Sequence, residues 1–213
     1  MRWNFRLKQL PLKVPYSFVD FTKAYDRVDH NILLTKLKDR GVPHCLVKWF
    51  HSYLSFRCQT VRVDNQYSDW VYITAGMPQG SPLGLLSFLL LIDDLTVDCL
   101  THKYVDDTTL TELLPRGSQQ THMKTFLQQL QTWATPNKMK INFMKTKEMI
   151  LGLLAKFSPQ HLSDSSANNP VIVERVQQFK LLGITISHDL NWQTHIDAII
   201  TKAFLVSFIS SKS

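Results

Sequence analysis

Cysteine is scarce in this chain: Cys45, Cys58 and Cys99 are the only three, and no two stand in C-x-x-C spacing. That excludes a disulfide framework and argues against a zinc site. An odd, sparse count points instead to a reducing intracellular compartment, with nucleus or cytoplasm left open. His44, His51, His102, His122 and His188 are dispersed and show no ligand spacing. Long apolar runs are missing too. The longest stretch, 83–92, ends at Asp93 and falls short of the ~20 residues that cross a bilayer, so no membrane partner is expected. Residues 1–15 alternate basic and apolar side chains without a continuous apolar segment, which argues against a signal peptide. Acids are outnumbered, 17 to 24, so the net charge is +7 although only 19% of residues are charged. Basic excess on a weakly charged chain implies an anionic partner, nucleic acid foremost. With 44% hydrophobic and 11% aromatic residues, a sizeable core is available.

Residues 18–21 read as a buried strand. Ile32, Leu33, Leu34 and Leu37 recur at helical spacing over 31–38, and Gly41 with Pro43 stop that helix. Leu46, Trp49, Phe50, Tyr53 and Leu54 predict a second helix. Residues 57–63 alternate, Asp64-Asn65 offers a turn, and 70–74 resumes a strand, which predicts a β-hairpin. A loop punctuated by Gly76, Pro78, Gly80, Pro82 and Gly84 leads into a helix over 85–95, expected to be buried. A hairpin spans 101–111, and Met123, Phe126, Leu127, Leu130 and Trp133 set one face of a helix over 118–133. Residues 140–151 return to strands, 158–170 are polar and loop-like, 171–173 and 179–186 are strand-like with Gly183 inside, and 192–208 close as a helix. Strands and helices mix without βαβ alternation. That predicts an α+β fold, helices packed on one face of an antiparallel sheet.

Tyr104-Val105-Asp106-Asp107 is the most informative segment. Adjacent carboxylates at a hairpin turn repel, and each raises the other's pKa. A divalent cation offsets that cost. A third acid, Asp20, ends the strand-like run before it. Three carboxylates from two strands make an oxygen-rich site suited to Mg²⁺, which binds through a few carboxylates plus substrate phosphates. Two such ions clamp the attacking and leaving oxygens of a phosphoryl transfer. An isolated Asp-Asp pair is more often a solvated turn, and the rival reading of Asp20 is a helix N-cap, since Thr22-Lys23-Ala24 could begin a helix.

Five ordered segments carry a family resemblance. Asp20-Phe21-Thr22-Lys23-Ala24-Tyr25-Asp26-Arg27-Val28 resembles the D-F-x-K-A-F-D-x-V motif of reverse transcriptases from non-LTR (LINE-type) retrotransposons. Gly76-Met77-Pro78-Gln79-Gly80-Ser81-Pro82-Leu83-Gly84 resembles their G-V-P-Q-G-S-x-L-G motif, and Tyr104 to Asp107 their Y/F-A-D-D box. Lys140-Ile141-Asn142-Phe143-Met144-Lys145-Thr146-Lys147 is similar to the L-N-x-x-K-T segment, and Phe179 to Ile184 to the F-L-G primer-grip hairpin.

The resemblance implies an RNA-directed DNA polymerase with a palm-like antiparallel sheet, partial fingers and the start of a thumb. Its substrates would be dNTPs, an RNA template and a DNA primer, and its cofactor two Mg²⁺ ions, with Mn²⁺ as a substitute. Asp20, Asp106 and Asp107 would hold the metals, helped by the carbonyl of Phe21. Tyr25 would stack on the incoming sugar and exclude a ribose 2′-hydroxyl, although a core aromatic fits the same position. Gln79 and Gly80 would approach the nucleotide, and Lys145 would give a proton to pyrophosphate, with Lys147 its rival. Arg57, beside Gln59, would meet template phosphate, while Leu182 and Gly183 would set the primer end. Asp26 and Arg27 are expected to form a surface ion pair of little worth.

By this reading 1–15 is a remnant of a longer N-terminal region, 16–155 the palm with partial fingers, 156–170 a loop, 171–190 the primer-grip hairpin and 191–213 the first thumb helix. The chain is expected to be truncated. Leu85, Ser87, Leu91, Asp93 and Val105 depart from the family pattern, but no catalytic carboxylate is lost. The alternative is a retroelement remnant without catalysis, acting at most as a nucleic-acid-binding module.

Overall fold

β1, Val14–Val19, is the strand around which the molecule is organised. It pairs antiparallel with β7, Asp107–Thr111, on one side and with β8, Lys147–Leu151, on the other. β6, Leu100–Tyr104, extends the sheet beyond β7, and β9, Glu174–Arg175, joins β8 at the opposite edge, giving the order β6-β7-β1-β8-β9. The computed structural model describes residues 14–78, 80–115, 118, 120–151, 161–163 and 171–210, without the side chains of 205–210. The expected loop over 156–170 lies outside the described residues except for 161–163, and so does most of 1–15.

Side chains alternate across β1, and the two faces have different covers. Val19, with Phe21 just beyond it, joins Leu110 in the main core. There they meet the inner faces of four helices: α1, His30–Asp39; α2, His44–Leu54; α3, Pro82–Ile92; and α4, Met123–Ala134. On the other face Phe18, Met149 and Leu151 form a second cluster. That cluster is closed by a hairpin of β10, Gln178–Leu181, and β11, Ile184–Ser187, with Phe18 and Phe179 rings stacked at 3.9 Å. A last helix, α5, Gln193–Ser210, follows. Helices on one face of a mostly antiparallel sheet make the α+β, palm-like architecture. No helix among the described residues is long and apolar enough to cross a membrane.

Four elements differ from their sequence reading. The β8–β9 pair is parallel. Parallel neighbours need a long crossover, and the chain between Leu151 and Glu174 supplies one. α4 starts at Met123 rather than 118, because Thr121 and the His122 N–H are drawn onto the buried Glu112 carboxylate instead of continuing the helix. α3 is only half covered: Leu85, Leu86 and Leu89 are exposed, and a helix apolar all round gives no pattern from which to read its covered side. Finally, 179–186, one strand-like stretch by its residue pattern though a hairpin by the family resemblance, is two strands. Leu182 and Gly183, with φ of +47° and +88°, form a two-residue turn with both φ positive, of the type I′ kind, between Leu181 and Ile184.

The segment between α2 and α3 is a hairpin in two pieces. β2, Cys58–Gln59, pairs with β5, Val71–Tyr72, and β3, Arg62–Val63, pairs with β4, Gln66–Tyr67, around Asp64-Asn65. Two residues separate the pieces on one side and three on the other, so a bulge interrupts the ladder.

Candidate active site

The register of β1 against β7 ends with Val19 paired to Thr108, and Asp20 and Asp107 are the next residues along the two chains. By strand alternation Asp20 shares the face of Phe18, away from the helices. β6 and β7 close through Val105-Asp106, with Tyr104 paired to Asp107. Val105 sits at φ +57°, a costly place for a β-branched side chain. The turn therefore carries strain at the position where two acids meet.

The three carboxylates feel one another. The Asp107 carboxyl is held above the usual carboxylate range by partial burial first, then by the charges of Asp106 and Asp20. Among the described residues no lysine or arginine forms an ion pair with any of the three. Uncompensated hard oxygen donors fit a divalent cation. Yet no group of three or more Asp, Glu, His or Cys among the described residues is drawn tightly enough to hold a metal by itself. Such a half-built donor set fits an ion that completes its shell with water and substrate phosphate.

A pocket of about 460 Å³ opens beside the acids. Asp20, Phe21, Tyr25, Asp106 and Lys145 line it, all expected at the site. Thr22, Lys23, Asp26 and Asn142 line it too; the sequence reading gave them no part in the site, although the first three stand inside the first motif and Asn142 inside the L-N-x-x-K-T-like segment. Asp26 makes no ion pair with Arg27, which corrects that expectation.

Phe21 faces Ile141 across an isolated bridge whose hydrogen bonds run from Thr22 N–H to the Lys140 carbonyl and from Asn142 N–H to the Asp20 carbonyl, both 2.8 Å. In such a pair the intervening residue's own N–H and C=O turn outward. The Phe21 carbonyl is thereby directed away from Ile141, towards the β7 side. Asp20 is not a helix cap. That role belongs to Asp29, whose Oδ1 accepts the Ile32 N–H at 3.0 Å. Burial works to raise the Asp29 pKa, but the Lys138 ammonium, 2.6 Å from Oδ2, and the cap hydrogen bonds hold it below the ordinary value. A cap residue directly before an apolar helical run was a readable signal.

Tyr25 is half-buried, its ring stacked on Phe88 of α3 at 5.1 Å. Burial, then the Asp106 charge, raises its pKa. Its carbonyl accepts the Met77 N–H at 3.0 Å, which binds the Tyr25 turn to the second motif. Two glycines allow that contact. A Cβ on Gly76 would stand 3.1 Å from the Asp26 backbone, and one on Gly84 would stand 2.7 Å from the Pro78 carbonyl oxygen. Gln79 lies outside the described residues, while Gly80 adopts φ +80° at an open position.

Of the two rival lysines, Lys145 lines the pocket, whereas Lys147 is paired with Glu174 at 2.6 Å. Arg57 does not line the pocket; its guanidinium lies 5.1 Å from the centre of the Tyr53 ring. Leu182 and Gly183 stand apart from it as well, exposed at the tip of the β10–β11 hairpin.

Known proteins are similar to this chain in sequence and in fold. The sequence profile described as reverse transcriptase (RNA-dependent DNA polymerase) matches residues 4–186. The chain is 30% identical over 194 residues to the RNA-directed DNA polymerase from mobile element jockey of Drosophila melanogaster, covering 86% of this chain and 20% of that protein. It is also 30% identical over 206 residues to the probable RNA-directed DNA polymerase from transposon BS of the same organism, covering 88% of this chain and 21% of that one. The chain thus spans about a fifth of the length of the curated relatives it matches. In fold it is similar to telomerase from Candida tropicalis, solved with a fragment of telomeric RNA, with a TM-score of 0.52, 16% identity and coverage of 87% of this chain and 30% of that one. With Asp20 and Asp106 lining one pocket and this profile matched across residues 4–186, the chain belongs to the reverse transcriptase family, in its non-LTR retrotransposon branch.

Proposed function

We propose that this chain is the palm-centred part of an RNA-directed DNA polymerase that adds dNTPs to a DNA primer 3′-end on an RNA template. The observation that supports the proposal is that the β6–β7 turn brings Asp106 and Asp107 beside the end of β1, where the charges of Asp106 and Asp20 act on Asp107, next to a pocket lined by Asp20, Asp106, Tyr25 and Lys145. Asp20, Asp106 and Asp107, with the outward-turned Phe21 carbonyl, would hold two divalent ions, Mg²⁺ or Mn²⁺. Bound there, such ions neutralise charge at the attacking and leaving oxygens of an in-line displacement.

The remaining work falls to side chains. Lys145 pairs with no carboxylate among the described residues, so its ammonium is available to the triphosphate and to a proton demand at the departing pyrophosphate oxygen. The Tyr25 ring, fixed by Phe88, would lie against the incoming sugar and exclude a 2′-hydroxyl. Gly80 gives backbone that a nucleotide can approach closely. Arg57 would touch template phosphate, which positions without reading sequence, and the Leu182-Gly183 turn would support the primer end.

Primer extension on poly(rA)/oligo(dT) with Mg²⁺ tests the proposal. Wild-type chain should extend, and Asp106→Asn should lose roughly two orders of magnitude or more while still binding the duplex. Binding without acid-dependent extension would leave a nucleic-acid-binding module in place of a polymerase.

A further inference from the structure

Thr146 is fully buried, yet its hydroxyl is placed between two strands of the candidate site. Its Oγ1 accepts the Asp20 N–H at 3.4 Å and donates to the Asn142 carbonyl at 2.9 Å. The same carbonyl accepts the N–H groups of Lys145 and Thr146, at 3.1 and 2.8 Å, and Asn142 returns its own N–H to the Asp20 carbonyl at 2.8 Å. A closed ring of hydrogen bonds therefore joins Asp20, Asn142 and Thr146, and the Lys145 N–H is tied to it through the Asn142 carbonyl. Asp20 in the ring and Lys145 beside it both line the pocket, and in the polymerase reading the first would serve the metals and the second the leaving group.

The backbone alone does not close this ring. The bridge at Phe21 and Ile141 fixes the Asp20 carbonyl but leaves the Asp20 N–H to the hydroxyl. Without it that N–H loses its partner, and the residue carrying the carboxylate loses one of its two tethers to the lysine turn. Groups that orient a ligand typically change metal affinity or activity 10- to 100-fold when removed.

We propose that Thr146 is a positioning residue: its hydroxyl sets Asp20 relative to Lys145, and so tunes divalent-metal affinity and the chemical step without touching either metal or nucleotide. This inference rests on the polymerase reading of the site. Thr146→Val keeps the shape and deletes the hydroxyl, whereas Thr146→Ser keeps the hydroxyl and deletes a methyl group.

The test is Mn²⁺ binding to the full chain, followed by electron paramagnetic resonance, alongside primer extension and thermal melts, with Asp106→Asn as the control for the acid site. Thr146→Val should weaken Mn²⁺ binding about tenfold and lower kcat more than it raises the KM for dNTP. Thr146→Ser should return both to within about twofold of wild type, even if its melting temperature falls as far as that of the valine variant. Unchanged Mn²⁺ affinity in Thr146→Val overturns the inference. So does a serine variant as impaired as the valine one, since a packing role would give that pattern. In both cases a wild-type chain that extends primers leaves the polymerase reading intact. A wild type that binds no Mn²⁺ in an Asp106-dependent way and extends no primer overturns both.

Discussion

Asp107 is where stability and chemistry oppose each other most directly. Its pKa is raised by burial and by two neighbouring acids, so the folded chain holds the proton more tightly than the unfolded chain does. The contribution to stability is fully present below the ordinary carboxylate pKa and is lost as pH rises through the higher folded value. At neutral pH the ionised group is therefore a liability that Asp107→Asn removes. Because the side chain is exposed, solvent screens the gain to under about 1 kcal/mol. Melts at pH 7 should show the variant slightly more stable than wild type, the gap closing near pH ~4 and narrowing with added Mg²⁺. A variant less stable at pH 7 would mean that Asp107 has a favourable partner in the fold. These acids were legible in the sequence because two of them are adjacent and like charges at a turn demand a reason. Asp29 was only half legible: its cap is local, but Lys138, which bonds it at 2.6 Å, is 109 residues away.

The β10–β11 hairpin shows what an element conceals from its sequence. A two-residue turn with both φ positive favours Asn-Gly, and here a leucine takes the first position at φ +47°. Without that signal the residue pattern showed only a strand-like run with a glycine inside, and the hairpin was implied by the family resemblance alone. The parallel entry of β9 was equally hidden, since it depends on a pairing across the chain rather than on local pattern. α1, α2 and the acid-bearing hairpin were legible because their apolar spacing and stop signals are local. An exposed leucine in a strained backbone is the costlier choice, by ~1 kcal/mol, and it buries little in return. Leu182→Asn should therefore raise stability by about that amount in urea unfolding. If the turn supports a primer end, the same variant should extend primers more slowly. Loss of stability would mean that the leucine contributes packing; faster or equal extension would remove the turn from the primer site.

Charge across the whole molecule decides how the site meets its substrate. The excess of +7 is not spread over internal pairs alone. Lys36, Arg40, Lys138, Lys147 and Arg175 are committed to carboxylates within the fold. Lys23, Lys140 and Lys145 are exposed and pair with none among the described residues, and Lys23 and Lys145 line the pocket beside the acids. Free cations around an acidic centre suit a polyanion, whose phosphates meet the lysines while its reacting end approaches the carboxylates. Neutralising phosphates releases counterions, so affinity falls with salt. A plot of log affinity against log salt for an RNA–DNA duplex should have a slope of about −3.6 to −5.4, the release expected for roughly four to six phosphate contacts. Lys145→Ala should make that slope shallower by about one contact and weaken binding evenly across sequences. A slope near zero would separate the basic excess from nucleic acid and leave the pocket lysines without their substrate.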